Sequence, residues 1–273
     1  MRVAIVQTSP LLGAVDTNIA RATSLLASLP PSQLDLIILP ELAFTGYNFQ
    51  SPKQITPYVE TNTTSPSRDW AGRMARQYGC SVLLGLPTQK DANRHNAAVM
   101  VDSTGETVHE YYKHHLFETD YKWGCTAGTG FSYIDIAVDG ISIRTSIGIC
   151  MDLNPWEFQA PFSAYEYANY ILKNDITLIL IPMAWLHPRS QPHDNDKLPS
   201  HQTLQYWIDR LTPLIDDETL RTVVICNRTG QEDGGAVYAG TSCALQFGAG
   251  EVNVLGVLGR QEGVLTVNLD VGR

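Results

Sequence analysis

Leu36-Ile37-Ile38-Leu39-Pro40-Glu41 is four unbroken apolar residues, then a proline and a carboxylate. A strand with one wet face alternates apolar and polar residues, whereas an unbroken run belongs to a strand covered on both faces. Residues 36–39 are therefore read as a strand buried on both sides, ending at an acid. Outward from it, residues 3–7 read as the first strand and 176–181 as another buried one. A helix between the first two carries Ile19, Ala22, Leu26 and Leu29 at helical spacing. Asp16 or Thr17 is its expected cap, and Pro30-Pro31 its stop. Residues 67–78 form a second helix, with Trp70, Met74 and Tyr78 four apart, and 81–84 the next strand.

The rhythm then changes. Residues 97–101 and 106–111 read as strands joined by Asp102-Ser103-Thr104-Gly105, and 133–138 and 141–149 flank Asp139-Gly140, a two-residue hairpin signal. A helical stretch over 155–173 carries Pro161 in an early turn. A polar loop over 188–200 precedes a helix over 204–211, and strands over 222–226, 242–247, 254–258 and 264–269 follow. The helices come in two batches with hairpins between them. Two stacked mixed sheets with helices outside would bury every element, which predicts an α/β sandwich of four layers. No low-complexity linker interrupts the chain, so residues 1–273 are expected to be one domain.

The net charge of −9 and the absence of any Lys/Arg run argue against a nucleic-acid partner, which needs a basic face. The longest apolar stretch, 176–186, falls well short of the ~20 residues that span a bilayer, so no membrane partner is expected. Only a short apolar run follows Met1-Arg2, which predicts no secretory leader. The cysteines (80, 125, 150, 226, 243) are odd in number and lack a C-x-x-C pair. This points away from a disulfide framework or zinc site and towards the reducing cytoplasm. Cys226 and Cys243 fall in apolar strands as core thiols, while Cys80 and Cys125 stay undecided. His114-His115, read as strand residues, would point to opposite faces and share no metal ion. Asp194-Asn195-Asp196 lacks the glycine and distal glutamate of a calcium loop.

Three polar residues stand where apolar strands stop: Glu41, Lys113 after Tyr111-Tyr112, and Cys150 after Ile147-Gly148-Ile149. Singly, each has an ordinary reading as a loop acid, a surface lysine or a core thiol. Together they supply a nucleophile, a base and a cation at strand ends, where a rigid sheet presents groups to a ligand. A carboxamide is a poor electrophile with a poor leaving group, and a thioester divides its hydrolysis into two easier steps. Cys150 would be the nucleophile, its pKa lowered by Lys113 and by a helix opening near Asn154-Pro155. Glu41 would move the protons, while Lys113 and a backbone N–H near Met151 would hold the oxyanion. No metal or organic cofactor is required by this chemistry.

Leu39-Pro40-Glu41-Leu42-Ala43-Phe44-Thr45-Gly46-Tyr47, Tyr111-Tyr112-Lys113 and Gly148-Ile149-Cys150-Met151-Asp152 resemble the signature of the nitrilase superfamily of carbon–nitrogen hydrolases, in order and in spacing. The resemblance implies a nitrilase-like αββα sandwich and a catalytic set of Glu41, Lys113 and Cys150. It also implies a second acid downstream of the lysine, for which Glu118 and Asp120 both qualify. Such proteins often pair through the helix after the cysteine, so a homodimer is allowed without being fixed.

A narrower likeness lies in Cys150-Met151-Asp152-Leu153-Asn154-Pro155, Pro182-Met183-Ala184-Trp185 and Tyr238-Ala239-Gly240-Thr241-Ser242. These resemble the fungal branch that deamidates N-terminal Asn and Gln of peptides and proteins to Asp and Glu, feeding an N-degron pathway. Asn154 stands where many superfamily amidases carry Arg. A substrate of this kind brings an α-ammonium, whose burial demands an anionic partner. The candidates are Glu118, Asp120, Asp152, Glu232 and Asp233, with Met151 and Trp185 as further pocket residues. Trp123 is read as pocket wall or core, and 227–235 as pocket lining or surface turn. Two other readings stay open: an amidase or carbamoyl hydrolase for a free small molecule, and a non-catalytic binding protein on the same fold.

Overall fold

The computed structural model describes residues 1–31, 33–61, 65–138, 140–188 and 196–271. Asp139 of the expected Asp139-Gly140 turn, Asp194-Asn195 of the acidic loop and residues 189–195 of the polar loop lie outside them.

The first half of the chain runs β1 (Arg2–Gln7), α1 (Val15–Leu26), β2 (Leu36–Ile38), α2 (Pro52–Ile55), α3 (Pro66–Tyr78), β3 (Ser81–Lys90), β4 (Asn93–Val101), β5 (Thr107–Tyr112) and α4 (Glu118–Lys122). The second runs β6 (Tyr133–Val138), β7 (Ile141–Ile147), α5 (Glu166–Lys173), β8 (Leu178–Met183), α6 (His201–Arg210), β9 (Arg221–Asn227), β10 (Gln231–Glu232), β11 (Ala236–Val237), β12 (Cys243–Gly248), β13 (Glu251–Val257) and β14 (Gly263–Asn268). Two six-stranded mixed sheets result, in the orders β14-β1-β2-β3-β4-β5 and β13-β12-β9-β8-β7-β6. β14 returns from the far end of the chain to pair antiparallel with β1.

Side-chain alternation sorts the layers. Val3, Ile5, Leu36, Ile38, Leu83 and Met100 join the core that also holds Leu180, Ile181 and Val224 of the second sheet. Their neighbours Ala4, Val6, Ile37, Val82 and Val99 face the other way, against Ala22 and Leu26 of α1 and Trp70 and Met74 of α3. Tyr167 and Ile171 of α5 and Trp207 of α6 join the second sheet's core. The order helix, sheet, sheet, helix is the expected αββα sandwich, and β2 is covered on both sides as its unbroken apolar run predicts.

Three local expectations are corrected. The α1 cap is Ala14 with no side-chain bond, and the helix opens at Val15. Neither Asp16 nor Thr17 caps it; Asn18 instead bonds the backbone of Leu11 and Phe44. The stretch over 155–173 is two short 3-10 turns and then α5, because Glu157, Phe158 and Tyr165 have φ of 51°, 56° and 44° and break the helix. His114 and His115 leave the strand, and their rings lie 5.1 Å apart against Phe131 and Trp156 rather than on opposite faces. Among the described residues no group of three or more His, Cys, Asp or Glu is placed to hold a metal ion, and no helix is long and apolar enough to cross a membrane.

Candidate active site

Glu41 follows β2, Lys113 follows β5 and Cys150 follows β7, so two come from one sheet and the third from the other. Lys113 Nζ lies 2.7 Å from Glu41 Oε1 and 2.7 Å from Asp120 Oδ2, with all three side chains fully buried. Asn96 of β4 completes the frame: its Nδ2 donates to Glu41 Oε1 at 2.7 Å and to Asp120 Oδ1 at 3.1 Å. The Ala184 amide donates to Glu41 Oε2 at 2.8 Å. Burial alone would strip Lys113 of its charge, but Asp120 and Glu41 outweigh it and raise its pKa well above the ordinary lysine value. Burial also pushes the Glu41 carboxyl up, against the opposing pull of Lys113.

Cys150 adopts φ 43°, a left-handed conformation unusual for a residue with a side chain, as the chain turns from the β7 end into a four-residue 3-10 helix. Its thiol is pushed well up by burial and by Glu41, which Lys113 only partly offsets. This corrects the expectation of a depressed thiol. Asn154 ends that short helix, and what opens after Pro155 is a three-residue 3-10 turn, Trp156–Phe158, rather than the expected helix. Burial and the neighbouring Glu41 both favour the thiol over the thiolate at Cys150.

A cavity of about 190 Å³ is lined by Cys150, Met151, Tyr47, Phe117, Asn154, Phe158, Ala184, Trp185 and Leu186. Tyr47, Phe117 and Leu186 also border an outer cavity of about 510 Å³, to which Asn48, Gln50, Glu118, Lys122, Asp233 and Tyr238 contribute. The inner space is below the ~300–1,000 Å³ of drug-sized sites, on the scale of one amino-acid residue. The outer space leaves room for more chain.

The expected site residues divide accordingly. Met151 and Trp185 line the inner cavity, and Glu118 and Asp233 the outer one. Asp120 takes the place beside Lys113, whereas the Glu118 side chain is 71% exposed, 3.7 Å from Lys122. Asp152 is fully buried outside both cavities. Its oxygens accept from the His114 and His115 amides, the Ile149 amide and the Tyr111 hydroxyl, which ties the lysine loop to the cysteine loop. Glu232 is likewise saturated, accepting from the Tyr47 and Asn48 amides, Arg228 and the Tyr238 hydroxyl. Neither Asp152 nor Glu232 presents a free oxygen edge to a ligand in this arrangement. Trp123 is core, packed with Phe49 and Ile55. Residues 227–235 combine both readings: β10 and β11 form a small hairpin whose Asp233–Gly235 turn rims the outer cavity.

Sequence reasoning missed Asn96 and gave Tyr47 no role. An asparagine at the head of Asn96-Ala97-Ala98-Val99-Met100-Val101, an otherwise apolar run, was the available signal. An amide in a doubly covered strand must find partners.

A family model for carbon–nitrogen hydrolases matches residues 2–154. The chain is 35% identical over 286 residues to the protein N-terminal amidase of Schizosaccharomyces pombe, an alignment covering 98% of each. It is 34% identical over 209 residues to that of Saccharomyces cerevisiae, covering 70% of this chain and 46% of the other. Among solved structures, an N-terminal amidase with an Asn-Glu-Ala peptide matches with a TM-score of 0.89 at 22% identity, covering 97% of this chain and 96% of that one.

Proposed function

The chain belongs to the carbon–nitrogen hydrolase family, and from that membership we propose that it deamidates N-terminal Asn and Gln of peptides and proteins to Asp and Glu, releasing ammonia through a thioester on Cys150. The observation that carries the reading is the near-full-length likeness to a protein N-terminal amidase. The adjoining cavities support it: the one at Cys150 is on the scale of a single residue, and the larger one beside it leaves room for the chain that follows. A pocket closed around a free small amide would not need the outer space. A single carbon–nitrogen hydrolase domain over residues 1–273 fits the β14–β1 pairing that joins the two ends. Five free, buried cysteines suit a cytoplasmic setting.

In this mechanism Cys150 Sγ attacks the side-chain carboxamide carbon as its proton passes to Glu41. Lys113 and the Met151 amide hold the oxygen of the tetrahedral intermediate, a contribution of ~3–4 kcal/mol per well-placed donor. Glu41 returns the proton to nitrogen, the C–N bond breaks and ammonia leaves. Water then attacks the thioester, giving its proton to Glu41, and the thiol is reformed as the carboxylic acid departs. Asp120 keeps Lys113 charged and fixed between the acids.

The α-ammonium distinguishes a terminal amide from an internal one. Glu118 and Asp233 are the carboxylates bordering the outer cavity, where Lys122 offsets one of the two charges and leaves a net negative one. The test is kcat/KM on matched free and N-acetylated Asn-peptides. Acetylation should cost more than about tenfold, the worth of one charge-assisted hydrogen bond. Equal rates would transfer the assignment to a general or small-molecule amidase.

A further inference from the structure

Tyr47 borders both cavities, yet its hydroxyl has no hydrogen-bond partner among the described residues, although the side chain is only 3% exposed. A buried hydroxyl without a partner is destabilising, and one that borders a cavity is placed to be satisfied by what fills it. The residue is held with care. The two oxygens of Glu232 accept from the consecutive amides of Tyr47 and Asn48 at 2.9 and 3.0 Å, and Glu232 is itself fixed by Arg228 and Tyr238. Gly46 permits this: it has φ 77°, and a Cβ there would lie 2.5 Å from Glu232 Oε1. The Tyr47 ring faces Lys113 Nζ at 5.4 Å.

The surroundings choose the ligand group. After burial, the charges that act on the hydroxyl are Asp120, Glu41, Cys150 and Tyr238, all of which hold it protonated. The residue borders the cavity that Cys150 lines and also the one that Tyr238 lines, and so lies where the two adjoin. With the side-chain carboxamide at Cys150, the substituents of the first residue's α-carbon fall at this junction. The ammonium there offers only donors, and a tyrosine oxygen is an acceptor.

We propose that Tyr47 is a substrate-binding residue, its hydroxyl oxygen accepting a hydrogen bond from the α-ammonium of the substrate's first residue. This rests on the N-terminal amidase reading and adds the group on the protein that reads the terminus. The ring supplies the wall between the cavities, and the oxygen supplies a neutral acceptor close to the reacting carbon. Glu118 and Asp233 then act at longer range.

The experiment compares an Asn-initiated peptide with its succinamoyl counterpart, which lacks only the α-amino group. The readout is the ratio of their kcat/KM values for wild type and for Tyr47→Phe. The wild type should favour the amino-bearing peptide, and Tyr47→Phe should reduce that preference by about tenfold or more, as for one hydrogen bond to a charged group. Thermal unfolding of the variant checks the fold, and loss of an unpartnered hydroxyl should not lower its Tm. A preference unchanged in Tyr47→Phe, including an equal loss on both peptides, overturns the proposal and leaves the N-terminal amidase reading intact. A wild type indifferent to the amino group overturns both.

Discussion

The backbone amide of Ala184 donates to Oε2 of Glu41 at 2.8 Å, so a carboxylate set by the first sheet is held by the chain leaving the second. Its other oxygen is gripped by Lys113 and Asn96. Glu41 is thus oriented from three sides before any substrate arrives, the preorganisation that acid–base work requires.

Replacing Glu41 with Gln should lower kcat by ~10²–10⁴-fold, the usual worth of a positioned proton carrier. Stability should respond differently. The folded pKa of Glu41 is raised, so its stabilising share is full below the unfolded value and is lost as pH rises through the folded one. At neutral pH the buried charge is a burden that Gln removes, while Lys113 loses one of its two anions and the amide forfeits part of the bonding to Ala184, Lys113 and Asn96. These oppose each other, and Tm at neutral pH should stay within roughly 5 °C of wild type, about 1–2 kcal/mol for a chain of this size. A collapse of Tm alongside activity would make Glu41 a structural residue.

The pH profile should carry the same signature. Glu41 must be ionised to accept the thiol proton, so the acid limb of kcat/KM should have its midpoint above the ordinary 4.5. Lys113, raised well above 10.5, should add no alkaline limb below that value. A midpoint at or below 4.5 would contradict the buried, desolvated carboxylate.

Asp120 and Glu118 are two residues apart and should behave as opposites. Asp120→Asn leaves Lys113 with one fewer anion in a dry site, which should cost ~3–5 kcal/mol of stability and most of the activity. Glu118→Gln removes an exposed acid 3.7 Å from Lys122, a pair worth ~0–1 kcal/mol. Its effect should be confined to KM for amino-bearing peptides. Chemical denaturation and steady-state kinetics on both variants decide, and the reverse ranking would refute the assignment.

The sandwich was readable because β1, β2, β3 and β8 are dense apolar runs whose burial on both faces follows from composition. The three candidate residues were readable as polar residues stranded at strand ends, and the contact of Glu41 with Lys113 followed from that placement. What was hidden depends on distant contacts. Asn18 looked like any helix residue, but Leu11 and Phe44 converge on it from other segments. The break of the helix after Cys150 lies in three left-handed residues that are not glycine, which local propensity disfavours and tertiary packing imposes. Asp120 and Glu118 were equivalent in sequence, and only the path of α4 aims one at Lys113 and the other at solvent. The raised thiol pKa follows from the depth of burial, which a motif does not record.

Cys150→Ala should abolish ammonia release while leaving the fold intact, and iodoacetamide should label one site in the native enzyme. All five cysteines are buried and all five thiols are pushed up by burial, so access rather than acidity sets the selectivity. Cys150 alone of the five borders the cavity that Met151 and Trp185 line. Peptide mapping after alkylation checks this, and labelling that spares Cys150 while stopping turnover would displace it as nucleophile.

The last prediction concerns a residue with no chemistry of its own. Gly85 in β3 donates its amide to the Pro40 carbonyl at 3.0 Å and accepts from the Ala43 amide at 2.9 Å, clasping the turn that carries Glu41. A Cβ at this position would lie 2.5 Å from Glu41 Cα, 2.6 Å from Leu42 N and 2.8 Å from Pro40 O. These are backbone atoms, so no flexible side chain can yield and the turn must shift. Overpacking of this kind typically costs ~1–3 kcal/mol, and displacement of a catalytic group by about 1 Å can cost ~10²-fold in rate. Gly85→Ala should therefore lower kcat far more than its modest loss of Tm would suggest. Gly263, at the start of β14, has nothing within 4 Å of such a Cβ, and Gly263→Ala supplies the control. If both variants turn over at wild-type rates, the contact between Gly85 and Glu41 does not position the carboxylate.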